Sequence, residues 1–184
     1  MVSLTALWLP ILLSAALVFV ASSLIHMLLG YHASDWKSLE REDGVLDALR
    51  PFALGPGDYV APKPGSMAEM NSPEYKAKAE KGPRVMITVM GPSSSMLRSM
   101  IVWFVYSLVV AVFAAYVAGI TLPPSAPYMD VFRVTSTVTF AGYALALWQS
   151  FIWYSRSIGY VLRSTIDGLV YALLTGGAFG WLWP

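Results

Sequence analysis

The sequence contains no cysteine. Disulfide bonds and thiolate chemistry are therefore excluded, and the redox compartment stays open. Charged residues are also scarce, at 12% of 184 residues, whereas 57% are hydrophobic and the mean hydropathy is +0.59. Because so little polar surface cannot cover an ordinary soluble domain, the composition predicts an integral membrane protein.

Familiar catalytic motifs are missing as well. There is no HExxH, no GxSxG and no phosphate-binding glycine loop, and the glycines of GPGD and TGGAFG lack a strand–turn–helix context. The adjacent acids Glu42 and Asp43 lie in a stretch of mixed charge, which is typical of a solvated face rather than an acid–base pair. We therefore predict a protein that is not an enzyme, with no catalytic residues, no metal ligands and no cofactor.

Four long apolar runs are present, at about 4–29, 97–120, 131–153 and 164–181. Each is close to the roughly 20 residues that a helix needs to cross a hydrocarbon core of about 30 Å. The first run has no Lys or Arg ahead of it and exceeds the roughly 7–15 apolar residues of a secretion signal, which indicates a retained anchor.

The predicted fold class is an all-α integral membrane protein with four transmembrane helices. A cytoplasmic segment of short helices and a small β-hairpin lies between helices 1 and 2. Residues 1–30 are predicted to form the first transmembrane helix and residues 31–96 the cytoplasmic segment. Residues 97–184 are predicted to form transmembrane helices 2 to 4.

The distribution of positive charge predicts the orientation. Segment 31–98 holds nine of the 12 Lys and Arg residues, the connection after the third helix adds Arg156 and Arg163, and Arg133 lies just inside the third helix. By the positive-inside rule both termini face the periplasm, and 31–98 and the 154–163 turn face the cytoplasm. Because 31–98 also holds nine acidic residues, we expect no nucleic-acid partner.

The cytoplasmic segment contains several local signals. SDWKSLEREDGVLDALRP predicts a helix along the membrane surface, weakened near Gly44 and ended by Pro51. SPEYKAKAEKGP predicts a short helix with Ser72 as its N-cap, and RVMITVM predicts a strand with DYVAP as its partner. Because two strands alone are marginal in water, they need cover from the membrane surface or another protein.

Six of the nine methionines fall in or beside this segment, and they either form a docking face or fill gaps in a small core. They are Met67, Met70, Met86, Met90, Met96 and Met100.

The fourth apolar run carries a row of small residues at every fourth position, namely Gly168, Ala172, Gly176 and Gly180. Small residues let a second helix backbone come close. The row therefore predicts a tight contact with a neighbouring helix, inside the bundle or from a partner.

Polar groups within the apolar runs are candidates for function, because each is costly in hydrocarbon. Asp167 follows Arg163 by one turn and also has Arg156 nearby, which favours a local ion pair over a proton or cation relay. Gln149 and the third-helix hydroxyls favour interhelical hydrogen bonds over a pore lining. Asp130 and Arg133 form a similar pair at the outer side.

The two histidines, His26 and His32, are six residues apart, a spacing that does not place both on one helical face. Haem held between two imidazoles would therefore require a homodimer. We expect an interfacial hydrogen-bonded histidine, of which His26 is the deeper.

The segments SSLIHMLLGYH, KGPRVMITVM and IDGLVYALLTGGAFGWLWP resemble a group of small bacterial inner-membrane proteins. These proteins have one helix, a cytoplasmic segment of this size and three further helices with a tryptophan-rich end. The resemblance implies topology and a bacterial inner-membrane location, and it brings no activity, ligand or site residues.

Three functions remain open. We predict a non-catalytic accessory or structural subunit of a larger membrane complex, with energy-transducing complexes as one class to consider. Its expected contacts are membrane lipids and a membrane-protein partner or a second copy. The alternative is a small transporter or channel that acts as an oligomer and uses Gln149, Asp167 and the third-helix hydroxyls. The third is a redox protein with haem bound by His26.

Overall fold

The structure, a computed structural model, describes residues 1–91 and 95–184. It is mostly helical, with one small sheet. The chain divides into two compact units, one of Met1–Lys37 with Met96–Pro184 and one of Ser38–Ser95. Residues 31–37, which the sequence suggested to be part of the cytoplasmic segment, thus belong to the first unit.

Four long helices build the first unit, with a short one between the last two. The helices are α1 (Trp8–Met27), α5 (Met96–Thr121), α6 (Tyr128–Tyr143), α7 (Trp148–Tyr154) and α8 (Ile158–Trp181), and a 3₁₀ turn, Leu4–Leu7, leads into α1. Helix α1 packs against α5 and α8, and α6 packs against the same two helices. The result is a four-helix bundle in which each long helix contacts two others.

Small and apolar side chains fill the bundle in two clusters. Leu7, Ala111, Ala115, Val131 and Phe179 form the first cluster, near the chain termini. Val18, Ile25, Val110, Tyr143 and Tyr171 form the second, toward the other end. The many buried alanines explain how the long helices approach closely.

The predicted small-residue row lies at the contact between α8 and α6. A Cβ atom added at Gly168 would lie 2.9 Å from Ala144 Cβ, and one added at Gly176 would lie 2.9 Å from the Phe132 ring. At Gly180 the added atom would lie 2.7 Å from the Tyr128 ring, and Ala172 is buried. The neighbouring helix is therefore within the same chain.

Two helices of the described chain, not four, are long and apolar enough to cross a membrane. They are Leu4–Met27 and Met96–Thr121, each with a mean hydropathy of 2.3 over its most apolar stretch. The predicted third span is divided, because a 3₁₀ turn at Leu145–Leu147 separates α6 from α7. The fourth, α8, is long enough, but Arg163 and Asp167 lie within it.

The second unit consists of short elements. It contains α2 (Glu42–Leu49), α3 (Met67–Met70), α4 (Pro73–Lys81) and the strands β1 (Gly57–Ala61) and β2 (Val85–Val89). The strands pair antiparallel, with Gly57 opposite Val89 and Ala61 opposite Val85. This confirms the predicted hairpin.

The local helix signals in this unit have mixed outcomes. Helix α4 begins as predicted, since the Ser72 hydroxyl accepts a hydrogen bond from the Tyr75 amide and Pro73 occupies the first helical position. Helix α2 differs from the prediction, because it runs through Gly44 without interruption and begins only at Glu42. A glycine costs about 1 kcal/mol in a helix, which is a penalty rather than a break.

Candidate functional site

A cluster of charged and polar side chains lies at the end of the bundle where α1 ends and α8 begins. Gly30, with φ of +62°, terminates the turn that follows α1, and the next residues form a short 3₁₀ turn at Ala33–Asp35. This turn brings Tyr31, His32 and Asp35 against the first half of α8. We call the six residues Tyr31, His32, Asp35, His26, Arg163 and Asp167 the polar cluster.

His32 occupies the centre of the polar cluster, between two carboxylates. Its Nδ1 lies 2.6 Å from Asp35 Oδ2 and its Nε2 lies 2.8 Å from Asp167 Oδ2. Each ring nitrogen therefore has a carboxylate oxygen within hydrogen-bond distance, and His32 links the turn after α1 to α8.

Asp35 is held from its other side by Arg163. The Arg163 Nε donates to Asp35 Oδ1 at 2.8 Å, and Nη2 donates to the same oxygen. Gly159, one turn earlier on α8, leaves space for the guanidinium, since an added Cβ would lie 3.3 Å from Nη2. Burial raises the pKa of the Asp35 carboxyl, but the hydrogen bonds from His32 and Arg163 outweigh burial, so its pKa lies below the usual value.

Asp167 is buried and receives hydrogen bonds on both oxygens. Besides His32 on Oδ2, the Tyr31 hydroxyl donates to Oδ1 and also lies 3.2 Å from the Arg163 carbonyl oxygen. Burial and the bond to Asp167 raise the pKa of the Tyr31 phenol, so the hydroxyl keeps its proton and remains a donor. The buried carboxylate is thus compensated by hydrogen bonds rather than by a directly facing arginine.

The predicted pairing of Asp167 with the nearby arginines is wrong. Within the described residues Arg163 pairs with Asp35, and Arg156 lies 4.9 Å above the ring of Trp36. The outer pair is present as predicted, with Arg133 Nη1 at 3.7 Å from Asp130 Oδ1. Sequence spacing on α8 alone could not indicate Asp35, because the partner comes from a turn more than 120 residues earlier in the chain.

The two histidines meet although their spacing predicts different helix faces. Helix α1 ends at Met27, so the spacing rule no longer applies at His32, and the ring centroids lie 4.4 Å apart. His26 Nε2 lies 3.8 Å from Asp167 Oδ2, and half of the His26 side chain is exposed. One ligand atom from each of His26, His32 and Asp167 lies within 4.8 Å of the other two, a grouping that could hold a metal ion.

The other predicted polar residue, Gln149, is exposed on α7. The third-helix hydroxyls bond to their own helix: Thr135 donates to the Val131 carbonyl and Thr139 to the Thr135 carbonyl, both at 2.7 Å. These groups therefore need no partner from water or another helix. Asp167, by contrast, belongs to the polar cluster.

Comparison with protein-family models, with curated proteins and with solved structures finds no match to this chain. The functional argument therefore depends on the geometry of the chain itself.

Proposed function

We propose that this protein is a multi-pass protein of the bacterial inner membrane that acts as a non-catalytic accessory subunit of a larger membrane complex. The observation that carries the proposal is the lack of an interior in the unit Ser38–Ser95. No side chain in its described part, 38–91 with Ser95, is buried. The sheet has only a partly covered face, formed by Val85, Ile87 and Val89 of β2, and a two-stranded sheet alone is marginal in water. A second surface is therefore needed to stabilise it.

The helices of the first unit support membrane insertion. Only 28% of the apolar stretch in each of the two candidate spans is buried, whereas the core helix of a soluble protein would be mostly buried. Large apolar side chains such as Leu24, Val105, Phe113 and Leu169 are exposed on α1, α5 and α8. Lipid tails are the cover that such faces fit.

The two ends of the bundle differ in charge, as the proposed orientation requires. At one end the Val2 amide donates to the Gly119 carbonyl at 2.8 Å and the Ser125 amide to the Pro184 carbonyl at 2.6 Å, so both termini lie beside the connection of α5 and α6. That connection and both termini contain no Lys or Arg. Arg156 and Arg163 belong to the other end, which we assign to the cytoplasmic side.

Methionines provide the surface that we assign to the partner. Met67, Met86 and Met90 are 71%, 56% and 86% exposed, so they do not fill a core. Flexible thioether side chains suit contact with another protein.

Of the two remaining functions, transport is less favoured because the Thr135 and Thr139 hydroxyls bond to their own helix. Haem would need imidazoles from two copies of the chain, because the His26 and His32 ring centroids lie only 4.4 Å apart.

Native mass measurement after gentle extraction at native expression level tests the proposal. We expect a complex heavier than one 20.1 kDa chain that contains a second membrane protein. Met86→Thr, which keeps a strand-forming residue at an exposed position of β2, should reduce recovery of that protein, while Lys76→Gln on α4 should leave it unchanged. A monodisperse monomer with no co-purifying protein would refute the proposal, and a multiple of the chain mass would identify a second copy as the partner.

A further inference from the structure

His26, His32 and Asp167 have the composition of a metal site. Two imidazoles and one carboxylate are the ligand set of many zinc and non-haem iron centres, and imidazole also suits copper and nickel. All three side chains present one ligand atom within 4.8 Å of the others. We propose that these residues form a binding site for one divalent transition-metal cation, independent of the accessory role proposed above.

The distances are close to those that coordination requires. Metal–ligand bonds of about 2.0–2.1 Å in a tetrahedral arrangement separate two ligand atoms by about 3.3 Å. His32 Nε2 and Asp167 Oδ2 lie 2.8 Å apart, and His26 Nε2 lies 3.8 Å from the same oxygen. The ring nitrogens of His26 and His32 lie within 4.8 Å of each other, so the His26 ring must move by up to about 1.5 Å to reach a coordinating arrangement. The half-exposed His26 ring is free to make such a shift.

The residues around the site already have the arrangement of an outer shell. A metal-bound histidine usually donates its second ring N–H to a carboxylate, which fixes the tautomer and the ring orientation. Asp35 takes this role for His32, with Oδ2 at 2.6 Å from Nδ1, and Arg163 holds Asp35 in turn. Tyr31 holds the second oxygen of Asp167, which leaves Oδ2 for the metal.

The charges around the site also favour a cation. Asp35 and Asp167 supply two carboxylates and Arg163 one guanidinium, so these three groups sum to −1 and offset half of the charge of a divalent cation. Three protein ligands leave at least one coordination position open, as in sites that bind water or an external ligand.

His26 distinguishes a metal site from a purely structural cluster. Among the described residues no hydrogen bond holds the His26 ring, because its 3.8 Å distance to Asp167 is too long. A structural cluster would therefore lose nothing when His26 is replaced. A metal site would lose one of its three ligands.

Zinc binding to the full chain, purified in detergent with a tag that contains no histidine, tests the proposal. We expect one Zn²⁺ per chain by equilibrium dialysis, and an affinity at least about tenfold weaker in His26→Gln, since even outer-shell changes cost about 10–100-fold. Met27→Gln places the same amide at the next exposed position and should bind as the unaltered chain does. Asp35→Asn should weaken binding by about 10–100-fold through the orientation of His32.

A second readout needs no variant. Co²⁺ added to the unaltered chain should give visible absorption bands typical of nitrogen and oxygen ligands in a site with few ligands. Zn²⁺ should also raise the unfolding temperature of the unaltered chain, and should not do so in His26→Gln. Equal zinc affinity in the unaltered chain and His26→Gln, or no Co²⁺ bands, would overturn the proposal.

Discussion

At the scale of single residues, Asp167 is the buried charged residue of the bundle, and its burial demands compensation by other groups. Its carboxylate is buried, and a buried charge is tolerated only when it is paired and hydrogen-bonded. Tyr31 and His32 meet this demand from a turn that follows α1. The turn is therefore attached to α8 by the polar cluster rather than by apolar contact alone.

Asp167→Asn should destabilise the protein, because the amide keeps the shape of the side chain but turns one acceptor oxygen into a donor that faces Tyr31 or His32. We expect the free energy of unfolding to fall by about 1–3 kcal/mol, the cost of an unsatisfied buried polar group. Denaturant or thermal unfolding in detergent measures the change.

Asp130→Asn is the matched control for Asp167→Asn. Asp130 lies in an exposed ion pair with Arg133, and such pairs contribute about 0–1 kcal/mol. A loss of stability in Asp130→Asn as large as that in Asp167→Asn would contradict the assigned role of the polar cluster.

Only part of the polar cluster could be predicted from sequence. Asp167, Arg163 and His26 stand out because charged or titratable groups inside apolar runs are rare. His32 stands out only as one of two histidines, and Tyr31 and Asp35 do not stand out, since they follow the helix in a polar segment. The one local signal was the three-residue spacing of His32 and Asp35, and their contact with α8 is set by how the chain turns at Gly30.

At the scale of elements, the contact between α6 and α8 depends on glycine. Gly168 lies against Ala144 so closely that an added Cβ would be 2.9 Å from its Cβ and 3.4 Å from its Cα and backbone nitrogen. Ala144 is itself fully buried, so neither backbone has space to move away. The row of small residues therefore determines how near the two helices lie.

Gly168→Ala should lower the free energy of unfolding by about 1–3 kcal/mol, the usual cost of overpacking. Gly177→Ala on the same helix is the control, because an added Cβ there has the Tyr128 hydroxyl at 3.8 Å as its nearest neighbour. It should be neutral or stabilising by up to about 1 kcal/mol, since alanine favours helix. Equal effects of the two changes on thermal unfolding would contradict the assigned packing.

The elements predicted best were those with capping and stop residues at their ends or with a clear strand pattern. Ser72, Pro73 and Gly82 define α4, and alternation of β-branched residues defines β2. The division between α6 and α7 could not be predicted, because the stretch Tyr143–Trp148 contains no proline, no glycine and no charge. The division lies next to Ala144 where it packs against Gly168, so it reflects tertiary contact rather than local preference.

At the scale of the whole molecule, the account depends on what covers the apolar outside of the bundle. The large exposed side chains on α1, α5 and α8 would face water in a soluble monomer, at a cost of about 25 cal/mol per Å² of apolar surface. A bilayer removes that cost. It also explains why charged groups of the first unit are concentrated in the polar cluster and at the connections.

Cysteine labelling tests insertion and orientation most directly, because the chain has no cysteine of its own. Ser125→Cys lies in the connection of α5 and α6, and Ala77→Cys lies on the exposed side of α4. In right-side-out spheroplasts a membrane-impermeant maleimide should label Ser125→Cys at once and Ala77→Cys only after the membrane is disrupted. Labelling of Ala77→Cys from outside, or recovery of the protein in the aqueous fraction without detergent, would contradict the account.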